Sequence, residues 1–291
     1  MKPASFNYYR PSTLEEALQL LQEYGDEGKL IAGGQSLIPI LNMRLSTLRY
    51  LIDISGLQDL NFIRQEDGFL KIGGLCRQRS LERSALVKEA APLLSEAVPF
   101  IGHMQTRNRG TVGGSLVHAD PTAEIPLSLL ALDAKAIIQS VDEVREVPVR
   151  DFFITYLTTD ISPTELLTEI HIPIDSIPRG YAFVEFSRRH GDFALVAAAC
   201  LLDTDEDGKV TSGRLALGGV DAVPVIAEDA LDILLGEKLT DSLLEEAGRI
   251  AAEHADPEPD LHGSREYRIN LAKVFTMRAI RKAYDRSLRT V

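Results

Sequence analysis

A short apolar run that breaks into two glycines constrains this chain most. Residues 29–36 read Lys-Leu-Ile-Ala-Gly-Gly-Gln-Ser. Leu30, Ile31 and Ala32 have the character of a buried strand. Gly33 and Gly34 let the backbone turn sharply and come close to a ligand. Backbone N–H groups exposed in such a turn form a concave nest for an anion, usually phosphate. Ser36 is placed to cap a helix from Leu37, whose N-terminus adds donors. Taken alone, the pattern is equally a plain strand–turn–helix connection.

A second copy shifts that balance. Residues 111–115 read Thr-Val-Gly-Gly-Ser. Two such turns facing each other would hold a diphosphate and its sugars from both sides; the bland alternative is two tight β-turns. Neither turn is the Gly-x-Gly-x-x-Gly fingerprint, nor a P-loop with its terminal Lys-Ser/Thr. The net charge of −12 over 291 residues argues against a nucleic-acid or anionic-membrane binder. It also means that a pyrophosphate must be held by local N–H dipoles, because the global field repels it.

Cys76 and Cys200 are too few for a thiolate metal cluster, and the histidines show no ligand spacing, so no metal site is expected. Both thiols read as reduced, half-buried and structural, which points to a cytoplasmic protein. No apolar run suits a transmembrane segment, and the N-terminus lacks a signal-peptide core. The length suggests about two domains.

In chain order, Ser12 and Glu15 form a capping box before a helix with Leu14, Ala17, Leu18 and Leu21 on one face. A strand, the first glycine turn, a short helix and a strand at 49–54 follow, so the opening reads as a small α/β unit. Residues 69–74 read as a strand ending in Gly73-Gly74, and residues 80–98 as helix broken near Pro92. Residues 125–132 read as a core helix, 136–141 and 145–149 as a strand pair, and 166–172 as a strand. Two prolines mark 173–179 as a linker. Beyond it come a strand at 181–186, a buried element at 193–202, a strand at 210–217, and helices at 227–235, 242–255 and 267–288. The acidic turn 203–207 reads as solvated, since it lacks a calcium loop's distal glutamate. The expected units are 1–57, 58–175 and 176–291.

The paired motifs resemble those of the FAD-binding medium (flavoprotein) subunits of molybdenum hydroxylases, which include aerobic carbon monoxide dehydrogenase and the corresponding domain of xanthine dehydrogenase. The likeness extends through residues 105–110 (Gln-Thr-Arg-Asn-Arg-Gly), 165–173, 187–194 and 262–268, essentially the whole chain. It implies an α+β fold: a two-subdomain FAD-binding unit of the p-cresol methylhydroxylase type, then an α+β C-terminal domain. By the resemblance, Ala32, Gly33, Gly34, Gln35 and Ser36 wrap the FAD pyrophosphate, and Lys29, Leu30 and Ile31 line the adenosine side. Thr111, Gly113, Gly114 and Ser115 close over the diphosphate and ribityl chain. Glu124 accepts from sugar or ribityl hydroxyls, Leu167 packs near the flavin or adenine, Ile101 and Gly102 lie close to the cofactor, and Phe193 lies near the isoalloxazine. No protein side chain is expected to be catalytic, because the flavin is the redox group.

Departures from the family pattern carry their own expectations. Gln35 stands where many relatives have histidine and cannot tether a flavin, so FAD is expected to be non-covalent. Glu185 falls where xanthine dehydrogenases have a lysine, which weakens the case for NAD. Arg107 and Arg109 either flank a phosphate or pair with surface carboxylates. His118 and Asp120, and likewise His190 and Asp192, read as loop-fixing residues. The resemblance implies an oxidoreductase: an electron-transfer subunit with a molybdopterin-binding large subunit and a [2Fe–2S] small subunit, as a dimer of heterotrimers. The rivals are a free-standing flavin reductase and a non-catalytic nucleotide-binding assembly protein.

Overall fold

In the computed structural model, which describes residues 2–290, helices and strands alternate through three main sheets. Met1 and Val291 of the expected terminal units lie outside the described residues. The first sheet is parallel, with Tyr50–Asp53 between Asn7–Tyr9 and Gly28–Ile31. Helix Leu14–Tyr24 covers it with Ala17, Leu18 and Leu21. Its cap differs from the expected box by one residue. Thr13, not Ser12, accepts from the Glu16 N–H, and Glu16 reaches back to the Ser12 N–H at 2.7 Å. Gly25 ends the helix at φ 46°, a conformation that a side chain resists.

The second sheet is antiparallel, in the order Ile63–Glu66, Phe69–Gly73, Leu166–Pro173, Lys135–Gln139, Val144–Pro148. The helical stretch at 80–98 is three short helices, Gln78–Arg83, Ala85–Ala90 and Pro92–Ala97. Ser84 caps the second of them, and Pro92 opens the third, where its missing N–H costs nothing. Helix Glu124–Ala131 is buried on all sides.

The third sheet runs Gly180–Phe186, Val196–Thr204, Val210–Gly218, Val225–Ile226. Strand Val196–Thr204 explains how the molecule is layered. Ala197, Ala199 and Leu201 join the core that contains helices Pro92–Ala97 and Glu124–Ala131. Val196, Ala198, Cys200 and Leu202 join the core under helix Arg265–Ser287. A strand sends successive side chains to opposite faces, so one covered on both sides must be apolar at nearly every position. The expected buried element at 193–202 therefore starts late: Phe193 is 76% exposed and burial begins at Ala194. The last helix spans Arg265–Ser287, and the expected helix at 227–235 shortens to Glu228–Asp232.

Candidate functional site

The first glycine loop leaves strand Gly28–Ile31 and enters helix Leu37–Asn42. Gly34 has φ 72°, a region that glycine enters without strain. Among the described residues, the backbone N–H groups of Gly33, Gly34, Gln35 and Ser36 donate to nothing. Four unpaired donors in sequence form an anion nest. Ser36 does not cap the helix as expected: it sits in the helical region and its hydroxyl makes no cap bond. That hydroxyl stays available to a ligand. Gln35 is exposed, and its amide donates to Gly33 O at 3.2 Å, which braces the loop. Lys29 is exposed, while Leu30, Ile31 and Ala32 are half-buried.

The second motif is not a β-turn. Thr111 caps helix Val112–His118, so Gly113 and Gly114 lie in its first turn. Every N–H there is spent. Val112 donates to Cys76 O, Gly113 to Gly74 O, Gly114 to Thr111 Oγ1 and Ser115 to Thr111 O, all at 2.9–3.1 Å. The expected two-sided clamp thus has a run of unpaired N–H groups on the first side, against a spent run at 112–115 on the other. The other side offers the Ser115 hydroxyl and the bare, exposed Gly114.

The glycines bring these parts together. A Cβ on Gly33 would stand 2.4 Å from Arg109 O and 2.9 Å from Gly110 Cα. One on Gly113 would stand 2.6 Å from Gly74 O, and one on Gly74 would stand 2.5 Å from Leu167 O. The pair Gly73-Gly74, read from sequence only as a strand end, is the surface on which the second motif rests. Leu167 lies in the same stack, buried beside a bulge in its strand.

Arg77 is the residue that sequence reading missed. Its guanidinium donates to Arg109 O, directly behind Gly33. Burial and the neighbouring Arg109 charge both push the Arg77 pKa down. Two cations side by side in a chain of charge −12 are a natural counter-field for a phosphate. Arg107, by contrast, is a buried brace: Nε meets Glu82 at 2.8 Å and Nη1 meets Ile101 O at 2.8 Å. It fixes the bend at Ile101 and Gly102, where Gly102 has φ 44°.

The site continues into the seam against the third sheet. Asp120 fixes its loop by accepting from the Thr122 N–H at 2.9 Å and hydroxyl at 2.7 Å. Glu124 is 8% exposed. Burial, with Asp120 adding, pushes its carboxyl up to about 7, while its own backbone N–H and Arg107 oppose. Gly191, at φ 88°, packs on His103 from across the seam, and the His103 and His190 rings lie 6.4 Å apart. Phe193 projects from that same loop. Cys76 and Cys200 are fully buried rather than half-buried, and burial pushes both thiols up to about 12. Among the described residues, no group of three His, Cys, Asp or Glu is placed to hold a metal ion.

Comparison with known proteins shows the family and its cofactor. A family model described as "FAD binding domain in molybdopterin dehydrogenase" matches residues 4–175, and one described as "CO dehydrogenase flavoprotein C-terminal domain" matches 181–283. The chain belongs to this family of FAD-binding medium subunits. Its similarity to the 6-hydroxypseudooxynicotine dehydrogenase complex subunit alpha of Paenarthrobacter nicotinovorans is 40% identity, over 99% of this chain and 97% of that one. The carbon monoxide dehydrogenase medium chain of Afipia carboxidovorans is 35% identical, over 99% of both. The structure of quinoline 2-oxidoreductase from Pseudomonas putida 86 superposes with a TM-score of 0.94 at 37% identity, covering 99% of this chain and 100% of that one. As a medium subunit the chain is part of an oxidoreductase, and its cofactor is FAD. The unpaired N–H run at 33–36 fits an FAD pyrophosphate by its donor chemistry.

Proposed function

We propose that this chain is the flavin-bearing relay of a molybdenum-containing dehydrogenase. It takes electrons from [2Fe–2S] clusters on a small subunit and passes them to an external acceptor, while a molybdopterin-binding large subunit oxidises the substrate. The proposed assembly is a dimer of heterotrimers in the cytoplasm, and 1–57, 58–175 and 176–291 are the working units. The observation that carries the reading is the nest of four unpaired N–H groups backed by Arg77 and Arg109. Residues 32–36 would hold the pyrophosphate, with Lys29, Leu30 and Ile31 along the adenosine. Thr111, Gly113, Gly114, Ser115, Glu124 and Leu167 would border the sugar chain, and Ile101, Gly102 and Phe193 the ring system. Bound FAD supplies a carrier that exchanges two electrons on one side and one on the other.

The chain's own task is to bind, orient and shield that carrier. Gln35 offers no nucleophilic ring nitrogen, so the hold is non-covalent. Helix Glu124–Ala131 and the third sheet close the seam. No helix among the described residues is long and apolar enough to cross a membrane. The test is purification of the chain, an absorbance spectrum, and acid precipitation. A flavin spectrum with all colour released into the supernatant is expected. A colourless protein that FAD does not reconstitute would overturn the reading, and a yellow pellet would overturn non-covalent binding. Native co-purification should recover a molybdenum subunit and a cysteine-rich small subunit; recovery of the chain alone would favour a free-standing reductase.

A further inference from the structure

The first sheet carries a second polar feature on the same face as the glycine loop. Strands Asn7–Tyr9, Tyr50–Asp53 and Gly28–Ile31 run parallel, so their C-terminal ends lie together. The loop of unpaired N–H groups leaves the last of them. Ile52 joins the core under helix Leu14–Tyr24. Successive side chains of a strand point to opposite faces, so Asp53 points away from that helix. Asp53 pairs with Ile31, and both Tyr8 and Lys29 pair with Leu51, two positions before it. Side chains in register on neighbouring strands share a face, which puts Tyr8, Lys29, Ile31 and Asp53 together. The glycine loop folds onto this face: a Cβ on Gly34 would stand 3.2 Å from Ile31 Cδ1.

Asp53 is half-buried and fixed in orientation. Its Oδ1 accepts from the Ser55 N–H at 2.9 Å, and its Oδ2 accepts from the Tyr8 hydroxyl at 2.5 Å. An ionised carboxylate offers about four lone-pair positions. The two bonds take one on each oxygen, so each oxygen keeps a position open. Tyr8 is exposed, which leaves this edge accessible to a ligand seated in the glycine loop.

We propose that Asp53 is the acceptor for the adenosine ribose of FAD, with Tyr8 orienting it. The inference rests on the FAD-binding reading above and adds the residues that recognise the nucleoside half. A carboxylate beside a diphosphate nest repels phosphate and suits the neutral, hydroxyl-bearing part of a nucleotide. The ribose 2′- and 3′-hydroxyls are donors, and hydrogen bonds to an ionised acceptor are the stronger kind. Ligands of open α/β sheets lie outside the carboxyl ends of the strands, where an acidic residue accepts from ribose hydroxyls. The Tyr8 hydroxyl holds the carboxyl plane and leaves the remaining lone pairs to the diol.

The test is fluorescence titration of the full-chain apoprotein with FAD and with FAD analogues lacking the 2′- or the 3′-hydroxyl of the adenosine ribose. At least one analogue should bind the wild type about tenfold more weakly than FAD. Asp53→Asn keeps an oxygen for the Ser55 N–H. It should bind FAD about tenfold more weakly and that analogue as the wild type does, so the discrimination disappears. Tyr8→Phe removes the orienting bond at an exposed position and should cut the discrimination about threefold. Equal wild-type affinity for FAD and both analogues overturns the proposal, whether or not any variant folds. So does an Asp53→Asn protein that loses FAD and analogue equally, or that loses neither. Discrimination unchanged in Tyr8→Phe overturns the part assigned to Tyr8. Wild-type apoprotein that takes up no FAD overturns the parent reading itself, which is a distinguishable result.

Discussion

Gly33 and Gly113 look alike in sequence and do different work. Gly33 lets the nest lie against Arg109 and Gly110, while Gly113 lets a helix rest on Gly74. Gly33→Val should therefore reduce flavin occupancy to below about a tenth by pushing the loop off Arg109 O, which its Cβ would approach to 2.4 Å, while the helix content read by circular dichroism is kept. Gly113→Val should instead lower thermal stability by about 2–4 kcal/mol, with flavin loss as a consequence. Ser36→Ala should leave the melting temperature unchanged and weaken FAD binding by about fivefold, the worth of one hydroxyl bond. The buried carboxyls make a separate prediction for the apoprotein. Glu124 and Glu185 stand at about 7 and about 8, against 4.5 for an ordinary glutamate. The folded state thus keeps protons that the unfolded chain releases. This stability is fully present below about pH 4.5 and is lost as pH rises through about 7 to 8. Melting temperature should fall across that window in the wild type and flatten in the Glu124→Gln/Glu185→Gln variant.

Among the elements, helix Val112–His118 shows how a short motif changes meaning in three dimensions. Its glycines are helix-breaking by propensity, yet Thr111 caps it and Gly113 packs edge-on against Gly74. Thr111 is 2% exposed, so Thr111→Ala removes a buried cap and should cost about 1–2 kcal/mol, read as a lowered denaturation midpoint at unchanged slope. Strand Val196–Thr204 was visible in the sequence as an apolar run, because burial on both faces erases alternation. Strand Ile63–Glu66 was not visible: three of its four residues are polar, and it lies at the sheet edge where no face is fully covered. The hairpin of Phe153–Thr155 and Thr158–Thr159 escaped for a related reason, being two very short strands around exposed Tyr156 and Leu157.

Across the whole molecule, the two family-model regions share one core, with Phe183, Ala199 and Leu201 packed among residues of the second sheet's helices. Glu96 ties the regions together, since it takes Lys282 and Arg286 from the last helix and stands 3.4 Å from the Phe183 N–H. Glu96→Ala leaves two cations without that carboxylate and should cost about 1–3 kcal/mol. Calorimetry should then show broadened or split unfolding, and limited proteolysis should cut first between residues 174 and 180. The sequence by itself determined the longer helices and strands, the strand–glycine–helix loop at 29–36, and the likeness that names the cofactor, because these rest on local periodicity and contiguous motifs. Only the tertiary structure decided which backbone each glycine packs against. It showed that the backbone N–H groups of residues 112–115 are all spent within the protein. It also set Arg77 behind the nest, forty-four positions after Gly33. Those facts depend on which backbones and charges meet across long separations in the chain, and no local pattern encodes that.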